Sequence, residues 1–243
     1  MKAGAPFITR VGLRPAAIDD YVLDIPAIRS LADTPIDLDP HVSFFVGDNG
    51  SGKSTLIEAL AVASKLNPEG GGRLQMMSFS TRRSHSELHK ALVVERAEVR
   101  PANAFFLRAE SFFNFATFSE GLRMEQVYER ELHEQSHGES FLSLVLERFG
   151  PRGLYILDEP EAALSVHGQF ALMRRMSELV ALESQFIVAT HSPILLGYPD
   201  AAIFEFSESG IARIAYEESD PYRLTKSFLD DPAVFLHHLL DES

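Results

Sequence analysis

The chain has 243 residues, 45% of them apolar, which is enough for one large α/β domain around a sizeable core. It contains no cysteine, and this excludes a disulfide framework, a zinc ribbon and a thiol nucleophile. The formal net charge of −13 disfavours nucleic-acid binding by the surface as a whole, so charge does not indicate such a partner and only a local basic groove leaves it open.

The opening stretch MKAGAPFITR has one early lysine and no apolar run behind it, so it does not read as a secretory leader. No window reaches the roughly 18 to 20 apolar residues of a membrane helix. A cytoplasmic protein with no direct membrane insertion is expected. Val42 to Val46 reads as a buried strand, short, β-branched and aromatic, stopped by Gly47. Ser54 to Leu66 reads as a helix with Leu56, Ile57, Leu60 and Ala61 on one side. The run Asn67-Pro68-Glu69-Gly70-Gly71-Gly72 ends it and reads as a flexible loop. Arg82, Arg83, Lys90, Arg96 and Arg100 fall close together and read as the solvated face of a hairpin.

Between Arg96 and Glu139 the pattern is mixed, with a strand over Phe105 to Arg108 and a helix over Glu120 to Glu134. Residues 96–139 are taken as a smaller, partly helical lobe within a single domain spanning 1–243. Gly153 to Leu157 is a second buried strand, running into Asp158. Val166 to Leu182 is an amphipathic helix with Phe170, Met173, Met176 and Val180 at helical spacing. Gln185 to Thr190 is a third buried strand, and strand, helix, strand in this order implies parallel pairing. Ile203 to Phe206 and Ile211 to Tyr216 flank Ser207-Glu208-Ser209-Gly210 as a hairpin, and residues 221–243 read as helical and acidic.

Gly47-Asp48-Asn49-Gly50-Ser51-Gly52-Lys53-Ser54-Thr55 fits G-x-x-x-x-G-K-[ST], with an apolar strand before it and a helix after it. The glycines let successive backbone N–H groups turn inward on a phosphate, and the helix adds the positive end of its dipole. Lys53 would reach the β- and γ-phosphates of ATP, and the Ser54 hydroxyl would coordinate Mg²⁺. Leu154-Tyr155-Ile156-Leu157-Asp158-Glu159 delivers two carboxylates to the end of a buried strand. Asp158 would hold the metal and Glu159 would act as general base on water. His191, 32 residues after Glu159, ends the next strand and could hydrogen-bond a γ-phosphate and the attacking water. His133-Glu134-Gln135-Ser136-His137 fits H-E-x-x-H, but Gly138 interrupts a ligand-bearing helix and no third ligand is indicated, so no zinc is expected.

The P-loop, Asp158-Glu159-Pro160, Glu161-Ala162-Ala163-Leu164-Ser165 and Ala189-Thr190-His191-Ser192-Pro193 resemble the ABC-type ATPase superfamily. The likeness is to its soluble SMC/RecF-like and OLD-like branch, in particular the short bacterial stand-alone ATPases. The resemblance implies a P-loop NTPase fold with a mixed or parallel central sheet. It also implies a signature motif before the second carboxylate strand. Ser136, His137, Gly138 and Glu139 stand 22 to 19 residues before Asp158, with Gln135 and His137 departing from the family pattern. In the family this element caps the γ-phosphate held by the opposite subunit, which implies a homodimer on ATP binding. The family's Q-loop glutamine has no good match; Glu110 is the nearest candidate for the metal or water network, or else Arg108 and Glu110 pair with each other or with other lobe charges.

The resemblance implies Mg-dependent ATP hydrolysis by a dimer that controls another macromolecule through a separate effector, as in DNA repair or phage defence. The 82 residues between Lys53 and Ser136 are too few for a long coiled coil, and the 52 after His191 too few for an appended nuclease. Two other readings stand beside it. One is the ATP-binding subunit of a membrane transporter, against which stand the missing glutamine and the His-Ser-Pro ending of the third strand. The other is a nucleotide-sensing module that does not hydrolyse ATP, against which Lys53, Asp158, Glu159 and His191 occur together.

Overall fold

A computed structural model describes residues 5–18, 20–38, 41–68, 70–72, 86–109 and 137–241, with the side chains of 137–139 and 241 left aside. The central sheet is built on β3 (Val42–Gly47), β6 (Asn103–Arg108), β7 (Gly153–Asp158), β8 (Gln185–Ala189) and β9 (Ala202–Ser207). With β4 (Gly71–Gly72) and β10 (Gly210–Ile214) at its edges, the seven strands run in the order β10-β9-β3-β8-β7-β6-β4. The five inner strands are parallel to one another, and the two edge strands are antiparallel. The chain is therefore a mixed α/β fold with a mostly parallel sheet, as the strand–helix–strand order predicts.

The inner strands are apolar runs because both faces of the sheet are covered. Every residue of β7 and β8 is buried. Side chains alternate between two cores, as the two-residue period of a strand requires. Phe45, Ile156 and Ile187 face a core shared with α1 (Lys53–Ala63), through Leu56, Ile57 and Leu60. Phe44, Tyr155, Leu157, Phe186 and Val188 face a second core, closed by α2 (His137–Arg148) and α3 (Val166–Val180).

The face that α3 buries is only partly the one its apolar spacing predicts: Met176 is buried and Met173 and Val180 pack half-buried against the core, but Phe170 does not. Gln169, Leu172, Met176 and Leu179 are buried, whereas Phe170 is 55% exposed. Gln169 occupies a core position because its Oε1 accepts a hydrogen bond from the Ser192 hydroxyl at 2.5 Å.

A second sheet of three antiparallel strands, β2-β1-β5, packs on the α1 side: β1 (Ile8–Leu13), β2 (Ile36–Asp37) and β5 (Leu92–Arg96). It is tied to the central sheet by the Gln185 amide, which donates to the Ile8 carbonyl at 2.8 Å and accepts from the Ile8 N–H at 2.9 Å. Two further elements differ from expectation. Gly71 and Gly72, read as flexible loop, pair with Phe106 and Phe105 as β4. The strand ending in Arg108, read as part of the smaller lobe, runs in the central sheet beside β7. The helix expected over 120–134 lies outside the described residues, as do Arg82 and Arg83.

After the Ser207–Gly210 turn, β9 and β10 pair as the expected hairpin. The chain ends in α5 (Asp220–Asp230) and α6 (Pro232–Asp241), after the short α4 (Pro193–Leu196). Among the described residues no helix is long and apolar enough to cross a membrane.

Candidate nucleotide site

Parallel register assembles the site. Phe45 and Asp158 both pair with Ala189, and Asp158 pairs with Arg108. The carboxyl ends of β3, β6, β7 and β8 therefore lie along one sheet edge, where open α/β sheets bind ligands.

The loop from Gly47 to Gly52 leaves β3 and enters α1 at Lys53. Two of its glycines cannot be replaced without rebuilding it. Gly47 has φ +144°, and a Cβ there would fall 2.3 Å from the Phe206 carbonyl oxygen. Gly52 has φ +101°, and a Cβ there would press on Ile25 and Ile28 at 3.0 and 3.1 Å. Lys53 is 4% exposed, and its ammonium donates to the carbonyls of Gly47 at 2.7 Å and Asp48 at 2.8 Å. Burial pulls its pKa below the usual lysine value, while Glu159, Asp158, Asp48 and Glu161 act in the opposite direction.

At the other end of the loop, the Ser54 hydroxyl donates to Asp158 Oδ1 at 3.0 Å, joining positions 104 residues apart. Asp158 is buried, and its Oδ2 lies 3.1 Å from Arg108 Nε. Arg108 Nη1 in turn meets Glu58 Oε2 at 3.3 Å. Glu110 lies outside the described residues, so Arg108 is seen pairing with Asp158 and with a glutamate of α1.

Glu159 sits at φ +50°, in the left-handed region, and its N–H donates to the Ala189 carbonyl at 2.9 Å. Its Oε1 stands 3.7 Å from His191 Nε2, with each side chain 37% exposed. That is too long for a hydrogen bond, and the two groups border the same space. His191 Nε2 is itself buried, with no hydrogen-bond partner among the described residues. Burial first, and Lys53 second, lower the imidazole pKa, with Glu159 and Asp48 opposing, so the neutral ring is favoured. Ser51 Oγ is a second buried polar atom in the loop without a partner among the described residues. Buried polar atoms are ordinarily satisfied, so both are suited to a polar ligand that fills the loop.

Glu161 was quoted in the sequence only within a motif, and Arg108 only as a charge of the lobe. Glu161 Oε1 accepts from the His191 backbone N–H at 2.6 Å, while its Oε2 is buried without a partner among the described residues. Burial pushes its carboxyl up from the ordinary range, and hydrogen bonds at His191 and Thr190 partly offset this. The available signals were modest: a third acid two residues after Glu159, and an arginine closing an apolar strand.

The residues present fit a magnesium–triphosphate complex. The loop offers the Lys53 ammonium, and the pair Ser54 and Asp158 offers hard oxygen atoms for the metal. Ser136, with His133 and Glu134 of the H-E-x-x-H pattern, lies outside the described residues. His137, Gly138 and Glu139 are described as backbone at the start of α2. Among the described residues no group of three or more His, Cys, Asp or Glu side chains could by itself hold a metal ion.

Two family profiles match the chain. One, described as "AAA domain", covers residues 23–93, and the other, described as "AAA domain, putative AbiEii toxin, Type IV TA system", covers residues 128–197. The first spans the P-loop and the second spans Asp158, Glu159 and His191. A Sulfurisphaera tokodaii protein named "Putative ABC transporter ATP-binding protein" is 25% identical over 218 residues, covering 78% of this chain and 42% of its own length. The DNA replication and repair protein RecF of Colwellia psychrerythraea is 59% identical over 32 residues, 13% of this chain and 8% of RecF. The chain thus spans less than half the length of both relatives. The SMC head domain from Thermotoga maritima is similar in structure at 16% identity, over 86% of this chain and 98% of that one, with a TM-score of 0.46.

Proposed function

We propose that this chain, which belongs to the ABC-type ATPase superfamily, binds ATP with Mg²⁺ and hydrolyses it at the edge formed by β3, β7 and β8. The observation that carries this reading is the 3.0 Å hydrogen bond from Ser54 to Asp158. It brings together a P-loop hydroxyl and a strand-end carboxylate, a pair that would suit the metal of a nucleotide. Mg²⁺ would neutralise phosphate charge as the β–γ bond breaks.

The chain's own groups do the rest. Lys53 exchanges the Gly47 and Asp48 carbonyls for phosphate oxygens. The Glu159 carboxylate takes the proton of a water molecule whose oxygen attacks the γ-phosphorus, and the bond to the β-phosphate oxygen breaks to leave ADP and phosphate. Neutral His191 donates or accepts at Nε2 toward the same water or the γ-phosphate, held in place by Glu161 through its backbone.

The whole chain acts as one ATPase domain, with the region of about 96–139 outside β6 as the smaller lobe. Two chains form a dimer on ATP, each supplying Ser136, His137, Gly138 and Glu139 to the partner's γ-phosphate. The dimer acts on a separate effector or macromolecule, and the RecF likeness supports a role on nucleic acid. A second reading, the ATP-binding subunit of a membrane transporter, is supported by the Sulfurisphaera relative's name. Size-exclusion chromatography of Glu159→Gln with and without Mg-ATP tests the assembly, together with what co-purifies. An ATP-dependent dimer supports it. A protein that stays monomeric at saturating ATP refutes the shared site, and a co-purifying integral membrane protein decides for the transporter.

A further inference from the structure

We propose that Arg108 guards the metal end of this site, holding the Asp158 and Glu58 carboxylates so that a divalent cation does not settle there without a triphosphate. The geometry is a run of four side chains, linked by three contacts, whose two ends both stand on α1. Ser54 and Glu58 lie one turn apart on α1 and so share a face. The Ser54 hydroxyl bonds Asp158 Oδ1 at 3.0 Å, Arg108 Nε meets Asp158 Oδ2 at 3.1 Å, and Arg108 Nη1 returns to Glu58 Oε2 at 3.3 Å. The side chains of Asp158, Glu58 and Arg108 are 3%, 15% and 27% exposed, so these charges act on one another with little screening by solvent.

Removing the guanidinium takes away the cation that both carboxylates share and leaves them near the Ser54 hydroxyl. These are hard oxygen donors of the kind that Mg²⁺ and Mn²⁺ take. With Arg108 in position, an incoming cation meets a positive charge already in contact with both acids. A triphosphate changes the balance, because its oxygens add negative charge and ligands on the Ser54 side. Metal then enters with the nucleotide rather than ahead of it. The parallel register of β6 with β7, which sets Arg108 directly opposite Asp158, is what makes the arrangement available.

This inference rests on the reading that Ser54 and Asp158 hold the metal of ATP, and the experiment separates the two. Mn²⁺ binding is titrated by electron paramagnetic resonance, first without nucleotide and then with a non-hydrolysable ATP analogue. The proteins are the wild type, Arg108→Gln, Arg108→Lys and the double variant Arg108→Gln with Glu58→Gln. Without nucleotide, Arg108→Gln is expected to bind Mn²⁺ at least about ten-fold more tightly than wild type. Arg108→Lys, which keeps the charge, is expected to stay near wild type, and the double variant to fall back toward it. With the analogue the difference should shrink. Thermal unfolding gives a second readout: Mg²⁺ alone should raise the midpoint of Arg108→Gln and not that of wild type. Arg108→Met keeps the apolar stem, carries the same expectation and serves where the glutamine variant does not fold. Equal or weaker Mn²⁺ binding by the neutral variants would overturn the proposal and make Arg108 a brace for Asp158. Failure of wild type to bind Mn²⁺ with the analogue would instead overturn the metal–nucleotide reading.

Discussion

The Glu161 carboxylate accepts the backbone N–H of His191 at 2.6 Å, tying the turn after β7 to the chain leaving β8. One carboxylate thus fixes the backbone that carries the imidazole. Its other oxygen is buried and without a partner among the described residues, and burial raises its pKa.

The sign of that shift makes a prediction about stability. A carboxyl whose folded pKa is raised favours folding while it is protonated, and loses that contribution as pH rises through its folded pKa. Glu161→Gln stays neutral and keeps an oxygen to accept from His191. Its stability relative to wild type should therefore rise as pH climbs from about 4, the ordinary carboxyl range. Denaturant titrations at several pH values would check this, and a difference that is flat or falls with pH would contradict it. Glu161→Ala removes the bond and should lose about 1–3 kcal/mol, with a lower turnover because His191 is no longer held.

Lys53→Ala should abolish tight nucleotide binding. Lys53 is the loop's own ammonium, buried and already bonded to Gly47 and Asp48, so alanine leaves the phosphates without a side-chain cation from the loop. Fluorescent-nucleotide titration with Mg²⁺ measures this. Wild-type affinity in the variant would remove the P-loop assignment.

His191 should titrate below its ordinary value of about 6.5, because burial and the Lys53 charge both disfavour the imidazolium. NMR titration of the ring reads the midpoint directly. Replacing Lys53 by methionine removes one of the two causes and should move the midpoint upward. A wild-type midpoint at or above the ordinary value would mean that Glu159 dominates the pair.

The P-loop and the strands that lead to Asp158 and His191 were legible because local pattern and local structure agree there. An apolar run, a glycine-rich turn and a 3.6-residue period follow one another without a break from Val42 to Ala63. Where tertiary contact decides, the pattern misled. Phe170 shares helical spacing with Met173 and Met176, yet it is exposed while the core takes Gln169, which finds a buried partner in Ser192. Arg108 could not be paired with Asp158 from sequence, since only the parallel register of β6 and β7 brings residues 50 apart into contact. The small second sheet escaped for a simpler reason: β5 reads Leu-Val-Val-Glu-Arg and is half solvent-facing, and β2 is two residues long.

Shared-site assembly makes a separate prediction. Lys53→Ala and Ser136→Arg should each be inactive, because each homodimer lacks one part at both sites. Mixed together, a heterodimer has one intact P-loop facing one intact signature segment and should recover part of the activity. Activity in Ser136→Arg alone, equal to wild type, would show that the signature segment is not needed.

The central claim is that Glu159 removes the proton from water at a magnesium–ATP site built by Lys53, Ser54 and Asp158. Steady-state phosphate release, measured beside ATP affinity for wild type and Glu159→Gln, tests it most directly. The amide keeps the shape of the side chain but cannot take the proton, and loss of a general base lowers rates by about 10²- to 10⁴-fold. The account predicts Mg²⁺-dependent release by wild type, with ATP affinity in the variant unchanged and turnover lower by that factor. Equal turnover in the two proteins, or weakened ATP binding with turnover intact, would contradict it.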